Sequence, residues 1–252
     1  MPGSIQPRCH AKGVAQPANP RSYCSSPFAV VSRTGERRPV RASMREDDRV
    51  LFDRSGLGPS LAATARVAPS AQLAGDVRVG ELCVIDHGAV LLSSGPPVVI
   101  GAGSVVMANA VIRSAGGTHR PAFPTNIGED VLVGPLAALV GCTIEDAVYI
   151  ATGVMVFQDV VVGRGSRLGA GSIAHVGARL PPRSRLGMRQ YAVADEEDAV
   201  ITGELEHARA LLARADFFGR VFADEESDLE SLHRSTVAKL RAEAADWSDI
   251  AP

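Results

Sequence analysis

The chain holds six histidines and four cysteines, and few of them are spaced for a common reactive site. Cys9, Cys24, Cys83 and Cys142 form no CxxC pair and match no zinc knuckle or disulfide framework. A reducing compartment, with the cytoplasm as the default, is the reading this supports. Cys142 reads as a small packed residue rather than a nucleophile. His119 stands beside Arg120 in an irregular stretch, His175 directly follows an apolar repeat position, and His87 lies two residues after another. His207 and His233 fall on helical segments, and His10 lies in the irregular start. Asp86 and Asp159 sit just off repeat positions, where a carboxylate binds backbone amides at turns. No second acid–base pair accompanies any of these groups.

What must hold such groups is a repeat of period six. Val67, Leu73, Val79, Ile85 and Leu91 start it, followed by Ile100, Val106 and Ile112, then Ile127, Val133 and Leu139. A last run goes through Ile144, Ile150, Val156, Val162, Leu168, Ala174, Leu180 and Leu186. Gly or Ala often comes next, as at Gly80, Gly128 and Gly163, and lets the backbone turn beside the buried aliphatic. Neither a helix nor an alternating strand has this period. It belongs to a parallel β-helix in which three short strands make one coil, each aliphatic stacking on the one about 18 residues later. The core is then a column of aliphatics, which accounts for a composition 46% hydrophobic but only 4% aromatic. Three steps break the period: Leu91 to Ile100, Ile112 to Ile127 and Leu139 to Ile144. Loops leaving a solenoid tend to share one side and to carry function.

Residues 1–43 have no period, carry many Pro and Arg, and hold a single acid, Glu36. They read as disordered, either an organelle transit peptide or a stretch upstream of true initiation at Met44. A lead-in follows over 44–66, the β-helix over 67–191, and a helical region over 192–252. In the last, Leu205, Ala208, Leu212, Ala215, Phe218 and Phe222 keep a helical spacing, with Gly219 weakening its final turn. Ser227 and Glu230 form a capping box for a second helix. These helices either cover the last coil, pack along the solenoid wall or bind a partner. A net charge of −2 argues against nucleic acid, and no apolar run is long enough to span a membrane.

The segment Ile127–Ile144, with its Val-Gly-x-x-Ala-x-Leu-x-Gly-Cys-Thr-Ile pattern, resembles the γ-class carbonic anhydrases, a family that shades into hexapeptide acyltransferases. The resemblance extends over roughly residues 60–220. It implies a left-handed β-helix, a hand that composition and period do not supply, and a trimer, either of this chain alone or mixed with a paralogue. It also implies three zinc-binding His residues between subunits, but these positions carry Arg113, Pro135 and Val140. Arg keeps its proton, and Pro and Val offer no lone pair, so zinc is expected to be absent. The family's supporting Arg, Asp and Gln fall on Leu92, Ser94 and Met107.

The expectations are therefore a trimeric structural or ligand-binding subunit without the metal site, in which Arg113 pairs with an acid such as Glu129 or Asp130 or binds an anion. The alternative is acyl transfer from a coenzyme A thioester such as acetyl-CoA, with His119 or His175 as general base. Carbonic anhydrase activity through relocated ligands is a third reading.

Overall fold

The structure is a computed structural model and describes residues 50–52, 57–118, 120–195, 198–223 and 228–245. The expectations for residues 1–43, and for His10, His119 and Ser227, lie outside these.

The period-six residues build three parallel sheets wound as one solenoid. The first sheet takes Val50–Phe52, Gln72–Ala74, Val90–Leu92, Val111–Arg113, Ala138–Val140, Met155–Val156, Ile173–Ala174 and Tyr191–Asp195, in that order. The second runs from Ser60–Leu61 to Arg179–Leu180 and the third from Arg66–Val67 to Arg185–Leu186, each with seven strands. Register makes the stacking explicit: Leu73 pairs with Leu91, Ile144 with Val162 and Ile150 with Leu168. Every period-six position is buried except Val67, which is half-buried. Strand order and pairing are those of a hexapeptide β-helix, consistent with the left-handed form. Pairing starts before Val67, because Val50–Phe52 lies on Gln72–Ala74 and Ser60–Leu61 on Val77–Val79. The lead-in thus already supplies strands.

A second buried column runs two residues before the first. It contains Ala71, Cys83, Ala89, Ser104, Ala110, Ala137, Cys142, Ser166 and Ala178, with Val77, Val98, Val131, Val148, Val154 and Val160 among them, all close to fully covered. Nothing larger than Val stands in this column, because the triangular coil narrows towards its corners. Ser104 and Ser166 satisfy their hydroxyls by donating to the carbonyls of Gly128 and Pro181.

Beyond the last coil the strand Tyr191–Asp195 turns back as the antiparallel strand Asp198–Thr202, closing the first sheet. Helix α1 (Leu205–Leu212) packs Ala208 and Leu211 against Val193 of this hairpin. The helical spacing through Phe222 is not one helix. It breaks after Leu212, and α2 (Phe217–Phe222) starts afresh with Asp216 accepting the N–H of Gly219 at 2.8 Å. Gly219 lies within this short helix. Helix α3 (Leu229–Ala245) begins with the Asp228 carboxylate accepting the N–H of Ser231 at 2.9 Å. No helix among the described residues is long and apolar enough to cross a membrane.

Candidate functional site

All three breaks in the period fall at one corner, between the first and second sheets. The segments Ser93–Pro97, Ser114–Pro124 and Gly141–Cys142 leave strands of the first sheet and re-enter on the second. The long insert folds back on itself, with Ala115 and Phe123 exchanging backbone hydrogen bonds at 3.0 and 2.7 Å. It is tied to the shorter loop above by the Ser114 hydroxyl, which accepts the N–H of Ser94 at 2.9 Å. Gly141 makes the third crossing possible: with φ of +56°, it sits where a Cβ would come 2.5 Å from Cβ of Phe123 and 3.2 Å from Cγ of Gln158.

One column of side chains follows the inward residues of the first sheet into this corner: Leu92, Arg113, Val140, Phe157, His175 and Val193. Arg113 is in register with Leu92 on one side and Val140 on the other. Its guanidinium is half-buried and donates to the Ser94 hydroxyl at 3.3 Å and the Ser114 carbonyl at 3.4 Å. The Thr125 hydroxyl is buried, donates to the Arg113 carbonyl and accepts the N–H of Gly141. Arg113 is thus held by both inserts. Glu129 and Asp130, expected as its acidic partners, stand at the corner between the second and third sheets. Asp146 Oδ1 there accepts the N–H of Glu129 at 2.8 Å. Within one chain, neither acid shares a corner with Arg113.

Pro135 lies on a third corner, across the first sheet from Arg113 and Val140, in the turn before Ala138–Val140. The three positions can meet only if Pro135 comes from a neighbouring chain. Zinc needs three lone-pair donors at about 2.0–2.3 Å. A guanidinium, a pyrrolidine ring and an isopropyl group supply none and do not fit it. Among the described residues no three of His, Cys, Asp or Glu cluster as metal ligands.

His175 lies three rungs from Arg113, about 14 Å at the usual strand spacing, so the corner does not bring the two together. Its ring is packed between Phe157, with centroids 5.4 Å apart, and Phe217 of α2, at 6.0 Å. Nδ1 is buried and has no partner among the described residues, and burial holds the imidazole below its ordinary pKa. The neutral form is therefore the packed one. At the same corner Asp159 pairs with Arg179 at 2.8 Å and lies 3.7 Å from Arg220, and Asp216 caps α2 just before Phe217. Gly177 lets Arg220 cross the corner, since any Cβ there would collide with the guanidinium. At the level of the insert, the buried Arg120 places its guanidinium carbon 5.2 Å from the Phe222 ring centroid. Helix α2 thus lies along this corner, which fits packing along the solenoid wall.

The unfolded chain protonates His175 near pH 6.5 and the folded chain only at lower pH. The unfolded state therefore binds more protons as pH falls below that value, and stability drops. The expected result is that the urea midpoint of the wild type declines between pH 7.5 and 5.5 more than that of His175→Phe. Parallel declines would mean that His175 does not carry the effect.

The other candidates are ordinary. His87 is exposed, with Nδ1 2.8 Å from the Ser70 hydroxyl. Asp86 accepts the N–H of His87, as expected of a turn carboxylate. His207 is exposed on α1, and His233 lies against Phe218. Cys142 is buried, with its thiol pushed up to about 12 by desolvation, which rules it out as a nucleophile at neutral pH. Sequence reasoning missed Phe157, Gln158 and Phe217. The available signal was the scarcity of aromatics: Phe123, Phe157, Phe217, Phe218 and Phe222 are five of the chain's seven Phe, and all belong to this corner or its cover.

No protein-family model matches the chain. Over 132 residues it is 33% identical to γ carbonic anhydrase 1, mitochondrial, of Arabidopsis thaliana, a match covering 52% of this chain and 47% of that protein. Over 103 residues it is 39% identical to γ carbonic anhydrase 3, mitochondrial, of the same plant, covering 40% and 39%. The chain spans about half the length or less of these two relatives. A solved structure described as a putative acetyltransferase of Bacillus cereus aligns at 19% identity with a TM-score of 0.49, covering 79% of this chain and 99% of that one. The chain is γ-carbonic-anhydrase-like in sequence and a hexapeptide-repeat solenoid in fold.

Proposed function

We propose that this γ-carbonic-anhydrase-like chain is a subunit of a trimer, of itself or mixed with a paralogue, that serves a structural or ligand-binding role without the zinc site. The observation that carries the reading is the outward surface of the solenoid. On the first sheet Val90, Val111, Ala138, Met155 and Ile173 follow one another in register. On the third sheet Val84, Val105, Leu132 and Tyr149 do the same. Val111, Met155, Val84 and Tyr149 are exposed, and Leu136 at the corner between these sheets is 62% exposed. The second sheet is mixed: Ser60, Arg78, Asn126, Thr143 and Arg179 face outward, with the half-buried Val99 and Val161 between them. Two different apolar faces meeting head to tail close into a ring when the rotation is threefold.

Acyl transfer through His175 has weaker support, because its ring lies between Phe157 and Phe217. The test is light scattering combined with elemental analysis of protein expressed with added zinc. The expected result is a trimeric mass with no stoichiometric metal. A stable monomer at micromolar concentration, or one metal per chain, would overturn the respective half of the reading.

A further inference from the structure

Charge is unevenly distributed along the solenoid. Between Val160 and Ala194 the chain has no Asp or Glu, but it carries Arg164, Arg167, Arg179, Arg183, Arg185 and Arg189. Two of these are neutralised by the coils above: Arg164 pairs with Asp146 at 2.6 Å and Arg179 with Asp159 at 2.8 Å. The other four gather on the third sheet and its two flanking corners. Arg167 and Arg185 both point outward from that sheet and are direct register partners, one rung apart. Arg183 and Arg189 occupy the corners on either side of Arg185. Their side chains lie over the glycines of the preceding coil, each Cγ being 3.7 Å from where a Cβ of Gly165 or Gly171 would stand. All four are exposed, and none makes a side-chain hydrogen bond or ion pair among the described residues.

Like charges directly opposite on neighbouring strands destabilise a sheet. Arg167 and Arg185 are held about 4.8 Å apart at their backbones by the ladder, and no carboxylate lies between them. An anion bound across the pair removes this repulsion, and one with several adjacent charges can engage the corner arginines as well. Guanidinium forks match phosphate oxygens in pairs. The apolar run on the third sheet ends at Tyr149, so these arginines lie beyond the surface assigned above to subunit contact.

We propose that the last two coils form a binding site for a soluble oligophosphate, held by Arg167, Arg183, Arg185 and Arg189. The proposal does not depend on the trimer or on the state of the zinc positions.

The experiment uses the full chain with inorganic tripolyphosphate, against sodium chloride of equal ionic strength. Tripolyphosphate is expected to raise the melting temperature saturably, by about 3 °C at tenfold excess over its dissociation constant. The Arg167→Gln/Arg185→Gln variant should lose this rise, while Arg209→Gln on α1 should keep it. Should the double variant fold poorly, Arg183→Gln and Arg189→Gln singly should each weaken tripolyphosphate binding by calorimetry several-fold. No rise beyond the chloride control, or an equal rise in all variants, overturns the site.

Discussion

Met155→Glu is expected to convert the proposed trimer into a monomer of about 26 kDa, as read by light scattering at micromolar concentration. Met155 is 39% exposed in the single chain and sits in the middle of the apolar run on the first sheet, between Ala138 and Ile173. In an isolated chain a carboxylate at this outward position reaches water and costs little. In the proposed trimer it would be buried against apolar groups with no partner, a loss of about 3–5 kcal/mol at each contact. The mirror substitution on the opposite contact, Tyr149→Glu, should have the same effect. Asn126→Glu, at a polar outward position of the second sheet, should leave the mass unchanged. A Met155→Glu protein that remains trimeric would place the contact surface elsewhere.

Leu139→Ala is expected to be among the most destabilising single changes in the solenoid. Leu139 is fully buried and stacks in register between Ile112 and Val156. Truncation removes its transfer free energy and leaves a cavity that the ladder cannot close without pulling two rungs together, at a cost of about 2–5 kcal/mol. That corresponds to a fall of roughly 5–15 °C in melting temperature. Because each coil touches only its neighbours, hydrogen exchange should accelerate first in Val111–Arg113 and Met155–Val156. A change under about 1 kcal/mol would mean that the column tolerates voids.

The coil architecture was readable because a β-helix repeats one packing problem. Each coil needs an aliphatic at the middle of every side, and the chain supplies Val, Ile or Leu at each such position but Ala174 and its register partner Ala192. The second buried column was overlooked because its members differ chemically. Ala71, Cys83, Val98 and Ser104 share only a side chain no larger than Val, a property that hydrophobic patterning does not register. The three irregular steps were visible, but their shared corner follows from counting strands per coil rather than from the residues inside them. The cover over His175 was not legible at all. Its partner Phe217 comes from a different structural regime, past the hairpin, and the spacing from Leu205 to Phe222 disguised a break at which Asp216 starts a new helix. Likewise, the separation of Pro135 from Arg113 and Val140 appears only once the corners are assigned.

Helix α2 meets the solenoid through two rings. Phe217 packs on His175 near the end of the coils, and Phe222, its ring 6.0 Å from that of Phe217, receives the guanidinium that Arg120 extends from the long insert. A helix of six residues is only about 9 Å long, so both contacts close for one spacing between the insert and His175. The short helix therefore acts as a gauge of coil number. Duplicating one coil within residues 141–174 would keep every strand pairing intact and still force the helix to abandon one anchor. Deleting a coil would drive the helix into the insert. Repeat count in the solenoid and placement of the tail helix are thereby coupled through these two contacts.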